Sequence, residues 1–321
     1  LAAGFLALGG RAFAGAIQAP RLQAELDRVA RTIDGRVGGC VADASTTVCV
    51  NGDQRSSLQS VMKLVVAVAV LDEADAGRWR LDDSVTVRRE DLSVGVQPIA
   101  KLVGTTGFRT TIDDLMRRAI VDSDSAATDV LVARLGGPKA VQAVLDRHHV
   151  AGVRIDRDER HLQTETQGLA WRPEYVDPEV LDRALEALPK SRREAAFRAY
   201  VQDRRDTTSP RGMVSLLQAL AEGRLLSADS TKHLLQVMTE TVTFPDRLKA
   251  GLAPGWTLGH KTGSSGDLDG VTVATNDVGV LTAPDGGRVS VAVFVSDSPA
   301  PDPARAAVIA GFARAAIASY R

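Results

Sequence analysis

A chain of 321 residues has room for one large domain or two smaller ones with a substantial core. Its 44% apolar, 25% charged and 4% aromatic content matches ordinary soluble globular proteins, and no repeat or low-complexity block appears. With a net charge of −1 there is no field to hold nucleic acid or anionic lipid, so neither is expected as a partner.

Residues 1–14 open the chain as an apolar run followed by an A-x-A site, Ala12-Phe13-Ala14. That reads as the second half of a secretory signal, too short to span a bilayer, with cleavage expected near Gly15 and a periplasmic or secreted product; an ordinary buried or fraying N-terminal segment is the alternative. From Pro20 to Ile33, Leu22, Leu26, Val29 and Ala30 recur at helical spacing. "GRVGGCVADASTTVCVNGD" then alternates as a hairpin with its turn at Ala44-Ser45, which sets Cys40 opposite Cys49. A disulfide is expected there, since an exported protein meets oxidising conditions; two buried free thiols are the alternative.

The next segment, "SLQSVMKLVVAVAVLD", predicts an apolar helix from Ser60 to near Gly77 whose only charge between Met62 and Leu71 is Lys63. A buried, unpaired ammonium is costly, so Lys63 needs a partner, a shifted pKa or a chemical role. Ser60 lies three residues earlier on the same helical face, so hydroxyl and amine can meet. By itself this pair is weak, because an N-cap serine with a lysine reaching for solvent gives the same pattern.

Residues 78–110 are mixed and turn-rich. "TTIDDLMRRAIVDSD", opening with Thr111 and Asp114 as an acidic relative of the capping box, "SAATDVLVARLGG" and "PKAVQAVLDRHH" predict three helices. Residues 154–210 form a long connection with two short helices of its own. One is capped by Asp177 with Pro178 behind it; the other carries a Ser191–Glu194 capping box and an apolar face of Phe197, Tyr200 and Val201. Trp171 and Tyr175 read as the small core of this insert. From Trp256 onward "WTLGHKTG", "VTVATNDVGVLTAP" and "GRVSVAVFVSD" switch to period two, with a hairpin at Asp285-Gly286-Gly287, before a closing amphipathic helix. The expected fold is α+β: a five-stranded antiparallel sheet covered by terminal helices, made from residues 15–58 and 225–321, with an all-α domain inserted at 59–224. The histidines at 148, 149, 161, 233 and 260 show no metal-ligand spacing and no thiol cluster accompanies them, so no metal or cofactor is expected.

Two further short motifs join Ser60-x-x-Lys63: Ser123-Asp124-Ser125 at the start of a helix, and Lys261-Thr262-Gly263 at a strand end. Together with "RIDRDERHLQ" and "DRRDTTSP", their order and separations resemble the class A serine β-lactamases over nearly the whole chain. In that family's terms residues 157–206 are an extended Ω-loop. The residues themselves support an acyl-transfer chemistry. Ser60 at a helix N-terminus has backbone N–H groups that favour an oxyanion, and a desolvated Lys63 near positive helix ends would be disfavoured as ammonium and free to act as a neutral base.

The resemblance implies more. Ser60 is the nucleophile and Lys63 its base; Ser123 relays a proton to the leaving β-lactam nitrogen, and Lys261 holds that hydroxyl and the substrate carboxylate. Thr262, Gly263 and Ser264 line the substrate, with the Ser264 N–H completing the oxyanion site. Arg247, fourteen positions before Lys261, looks like the arginine that some branches of the family use to bind the carboxylate; a solvated surface arginine is the alternative. Glu159 activates the deacylating water, assisted by Gln163 where the family has asparagine, and Arg157 and Asp206 pin the loop. Glu165 is a competing base should the alignment slip. Ser125 replaces an asparagine that contacts the substrate's acylamido arm, and Val96 stands where the family carries an aromatic gatekeeper. The implied activity is β-lactam hydrolysis by a monomer. A D-Ala-D-Ala peptidase or a non-turnover β-lactam sensor would share Ser60, Lys63, Ser123 and Lys261, but neither needs Glu159.

Overall fold

Side chains that alternate along a strand must be covered on two faces, and this chain supplies both covers. The computed structural model describes residues 15–321; the signal segment read in residues 1–14 lies outside the described residues. Helix α1 (Ala19–Ala30) leads to strands β1 (Arg36–Ala42) and β2 (Thr47–Val50). Helices follow: α2 (Met62–Asp75), α3 (Ile112–Val121), α4 (Ser125–Leu135), α5 (Pro138–Arg147) and α6 (Glu159–Thr166). Then come α7 (Pro178–Glu186), α8 (Lys190–Gln202), α9 (Pro210–Ala221) and α10 (Ala228–Thr239). The chain closes with β3 (Thr257–Ser264), β4 (Val271–Thr282), β5 (Arg288–Ser298) and α11 (Asp302–Ser319).

The strands pair antiparallel in the order β2-β1-β5-β4-β3. Asp267–Leu268 adds a sixth, two-residue strand against the start of β4, where five strands are expected from sequence. Period two then sorts the core. Val41, Val291, Val293 and Leu281 share one cluster with Leu22 and Leu26 of α1 and Ile309 and Phe312 of α11. Cys40, Ala292, Phe294 and Val278 belong to the other, with the central helices. Helix α9 packs on β1, β4 and β5, and α10 on β3. In the hairpin, Asp43 Oδ1 accepts from the N–H groups of Ser45 and Thr46 at 2.8 Å each, and Cys40 and Cys49 are register partners joined by a disulfide.

Helix α2 is buried on every side from Met62 to Leu71, against α3, α4, α5 and α10, as its unbroken apolar run requires. A 3₁₀ turn, Gln59–Val61, precedes it, so Ser60 stands just ahead of the α-helix. The long connection is closed at its base, where Ser56–Ser57 pair with Thr207–Thr208. Inside it Asp177 caps α7 as expected, accepting from the Glu179 N–H at 3.1 Å. The Ser191–Glu194 capping box does not form. Helix α8 starts two residues earlier, at Lys190 behind Pro189, which leaves Ser191 inside the first turn and Glu194 facing Lys190 and Arg198. Trp171 meets Tyr175 edge-on at 6.3 Å, and Arg160 lies over the indole at 5.3 Å. Among the described residues no helix is long and apolar enough to cross a membrane.

Candidate active site

The site forms where the start of α2, the α3–α4 loop, α6 and the end of β3 converge. Lys63, only 1% exposed, donates from Nζ to Ser60 Oγ at 3.1 Å, to the Ser123 carbonyl at 2.7 Å and to Ser125 Oγ at 3.1 Å. The partner that its burial calls for is Glu159: Oε1 lies 3.5 Å away, and that carboxylate is fully buried. The neutralising partner is 96 residues further along the chain (159 − 63) and is brought in by the turn that opens α6.

Ser123 takes a left-handed backbone, φ +59°, because the next residue is fixed from both sides. Asp124 caps α4 through the Ala127 N–H at 2.9 Å and accepts the Ile99 N–H at 2.7 Å. Ser123 Oγ is thereby held between two amines, 3.3 Å from Lys63 Nζ and 3.0 Å from Lys261 Nζ. Burial drives the Lys261 amine well below the usual lysine range, and the charge of Lys63 pushes it the same way against the pull of Glu159 and Asp277. Beside it, Gly263 brings β3 close to the turn that carries Ser60: a Cβ there would lie 2.7 Å from the Leu58 carbonyl.

Glu159 Oε2 accepts from Ser125 Oγ at 3.1 Å and from Gln163 Nε2 at 3.3 Å. Its Oε1 has no hydrogen-bond donor among the described residues. A hydroxyl beside an amine, a second hydroxyl between two amines and a carboxylate with a free acceptor oxygen form a set suited to acyl transfer and hydrolysis.

The model of a family described as the β-lactamase enzyme family matches residues 21–320. The chain belongs to that family. β-Lactamase VEB-1 of Pseudomonas aeruginosa is 27% identical over 283 residues, 88% of this chain and 84% of the relative. The extended-spectrum β-lactamase PER-1 of the same organism is 28% identical over 304 residues, 93% and 87% of the two chains. Among solved structures, an ancestral class A β-lactamase aligns with TM-score 0.72 at 31% identity, covering 92% of this chain and 99% of that one. A β-lactamase from Chitinophaga pinensis aligns at 0.74 and 28%, covering 92% and 97%. This chain is thus a β-lactam hydrolase, and none of these findings favours the peptidase or the sensor.

In this β-lactamase the Arg157–Asp206 pair forms as expected, while other positions differ from their sequence reading. The Ser125 hydroxyl, expected to face the substrate arm, is 3% exposed and bridges Lys63 to Glu159. Arg247 is 1% exposed, which excludes a solvated surface arginine. It donates to the carbonyls of Gly263 at 3.1 Å and Asn276 at 2.9 Å and to Ser264 Oγ at 2.7 Å, with its guanidinium 3.8 Å from the Phe244 ring centroid. Thr262 Oγ1 meets Thr243 Oγ1 at 2.6 Å. Glu165 pairs with Arg157 at 2.9 Å and Arg205 at 3.1 Å, so its carboxylate serves the loop's ion cluster. Arg157 also bonds Asp206 through Nε at 2.6 Å. Val96 is 59% exposed, and its carbonyl accepts the Ser125 N–H at 2.8 Å.

Three residues carry the site without a signal in the sequence reading. Asp129, one turn after Ser125 on α4, accepts the N–H groups of Glu159 at 2.7 Å and Arg160 at 3.1 Å, and Ser93 Oγ at 2.6 Å. Burial, reinforced by Asp158, raises its carboxyl to about 6. Asn276 ties β4 to the segment just before Ser60 through the carbonyls of Ser57 at 2.8 Å and Leu58 at 3.2 Å. Tyr200 of α8 reaches Ser57 and Gln59. Only Asp129 offers a cue in retrospect, since four-residue spacing puts it on the face that carries Ser125.

Proposed function

We propose that this enzyme opens the β-lactam ring by acylating Ser60 and then clears the ester with water activated by Glu159. Lys63 passes its proton to Glu159 and, as a neutral amine, takes the proton of Ser60 as Oγ attacks the lactam carbonyl. The carbonyl oxygen gathers negative charge at the N-terminus of α2, beside the N–H groups of Ser60 and Ser264. As the C–N bond breaks, Lys63 returns a proton through Ser123 to the ring nitrogen, and Glu159 restores the proton of Lys63. Glu159 then takes a proton from water as the hydroxyl adds to the ester; Ser60 leaves and is reprotonated from Lys63, which recovers the proton held by Glu159. Lys261 and Arg247 supply N–H donors for the substrate carboxylate.

The observation that carries this reading is Lys63 Nζ, 3.1 Å from Ser60 Oγ and 3.5 Å from Glu159 Oε1 in a buried site. The reading also includes export to the periplasm or medium, which the Cys40–Cys49 disulfide supports, and action as a monomer. Intact-mass measurement after mixing with a penicillin tests the chemistry. Wild type is expected to show a transient adduct, Glu159→Gln a persistent one and Ser60→Ala none. A permanent adduct on wild type would point to a sensor instead.

A further inference from the structure

Helix α8 belongs to the long insert, yet one of its side chains reaches the residue that precedes the nucleophile. Tyr200 is the buried residue of α8, 7% exposed. Its Oη lies 2.7 Å from Ser57 Oγ and accepts from Gln59 Nε2. Gln59 has φ +47°, a sparsely populated backbone for a residue with a long side chain. Its Oε1 in turn accepts from Gln163 Nε2 at 3.1 Å, and that same amide nitrogen donates to Glu159 Oε2 at 3.3 Å.

We infer that Tyr200 is a positioning residue for deacylation, anchoring the far end of a hydrogen-bond chain through Gln59 and Gln163 that aims Glu159. This rests on the reading of Glu159 as the base that activates water. The direction of the chain follows from what each group can do. A carboxylate only accepts, so Gln163 must turn its NH₂ toward Glu159, and from that NH₂ it also donates to Gln59. Gln59 must then show its oxygen to Gln163 and its NH₂ to Tyr200. Tyr200 closes the chain by accepting that NH₂ on a lone pair, and its own proton is available to Ser57 Oγ, 2.7 Å away. Burial raises the phenol to about 12, so it stays a hydroxyl across the working pH range. Without the hydroxyl the buried Gln59 NH₂ loses its acceptor, and turning that amide to find another sets two NH₂ groups against each other and pushes Gln163 off Glu159.

The test is Tyr200→Phe, which keeps the ring in place and removes only the hydroxyl. If deacylation alone slows, kcat and KM should fall together by roughly five- to tenfold, the size of one or two lost hydrogen bonds. In that case kcat/KM, set by acylation, should stay within about twofold of wild type. Intact mass should show the acyl adduct persisting longer in proportion. A role in packing alone would lower kcat/KM or the active fraction and leave the lifetime of the adduct unchanged. Gln59→Met breaks the same chain without touching α8 and should give the same signature, and Tyr200→Phe should add little to it. Should Tyr200→Phe fail to fold, Gln59→Met decides. The inference is overturned if either folded variant clears its adduct as fast as wild type, and the hydrolase reading would survive that result. Absence of any adduct at Ser60 in wild type would overturn both.

Discussion

Lys63 and Glu159 meet as a buried ion pair, Nζ to Oε1 at 3.5 Å, with 1% and 0% of their side chains exposed. Removing one member of such a pair leaves the other as an uncompensated charge, at a cost on the order of 3 kcal/mol. Lys63→Met and Glu159→Gln should therefore each lose stability in urea unfolding, and the double variant should lose clearly less than the sum. Additive losses would mean that the two charges do not interact in the folded protein.

Ser125 hydrogen-bonds both members of that pair, so its removal should affect the chemistry rather than the choice of substrate. A hydrogen bond to a charged group contributes about 1.5–3 kcal/mol, so Ser125→Ala should lower kcat by roughly tenfold or more. Penicillins with and without an acylamido arm should be affected alike. A loss confined to substrates bearing the arm would return this position to substrate recognition.

The carboxyl of Asp129 titrates at about 6 in the fold against 3.8 ordinarily, because burial and the neighbouring Asp158 and Glu159 disfavour its charge while Arg160 and Ser93 favour it. A raised acid binds its proton more tightly in the folded state. Its contribution to stability is complete below about 3.8 and is lost as pH rises through about 6. Asp129→Asn has no such titration. From about pH 4 to pH 7 wild type should lose up to about 3 kcal/mol relative to the variant. Parallel stability-versus-pH curves would show that Asp129 does not carry the effect.

The disulfide lies on β1 and β2, at the edge of the sheet opposite β3 with Lys261. It closes a short loop, with a sequence separation of 9, for which chain entropy gives about 2–3 kcal/mol. Cys40→Ala with Cys49→Ala should lower unfolding stability by about that amount and leave kcat/KM unchanged. A matching fall in kcat/KM would reveal coupling across the sheet.

What the sequence makes legible here is local. Ser60 and Lys63 share a helix face, Ser123 stands beside a helix cap, Lys261-Thr262-Gly263 ends a strand, and each motif spans a few residues with a fixed physical purpose. Cys40 opposite Cys49 follows from alternation and one turn. Asn276, Asp129 and Tyr200 are not legible in this way, because each acts across a gap in sequence. Asn276 bonds carbonyls 218 and 219 positions away, and nothing in its neighbourhood marks it. The same limit hides the counter-charge of Lys63 and makes Ser125 look like a substrate contact. At α8 the error is one of phase: Pro189 starts the helix before the serine that the pattern selects as its cap.

Helices α1 and α11 cover one face of the sheet together, and β1 lies between β2 and β5. The first strand made therefore has no central partner until β5 has been synthesised, and the outer layer has nothing to close on until α11 follows. Such pairings carry a large loop-closure entropy, so this layer should assemble late, after the helical region around α2 has collapsed through more local contacts. Until then the hairpin of β1 and β2 is an open sheet edge, and the Cys40–Cys49 bond, formed within the hairpin itself, is a constraint that can be in place from the start.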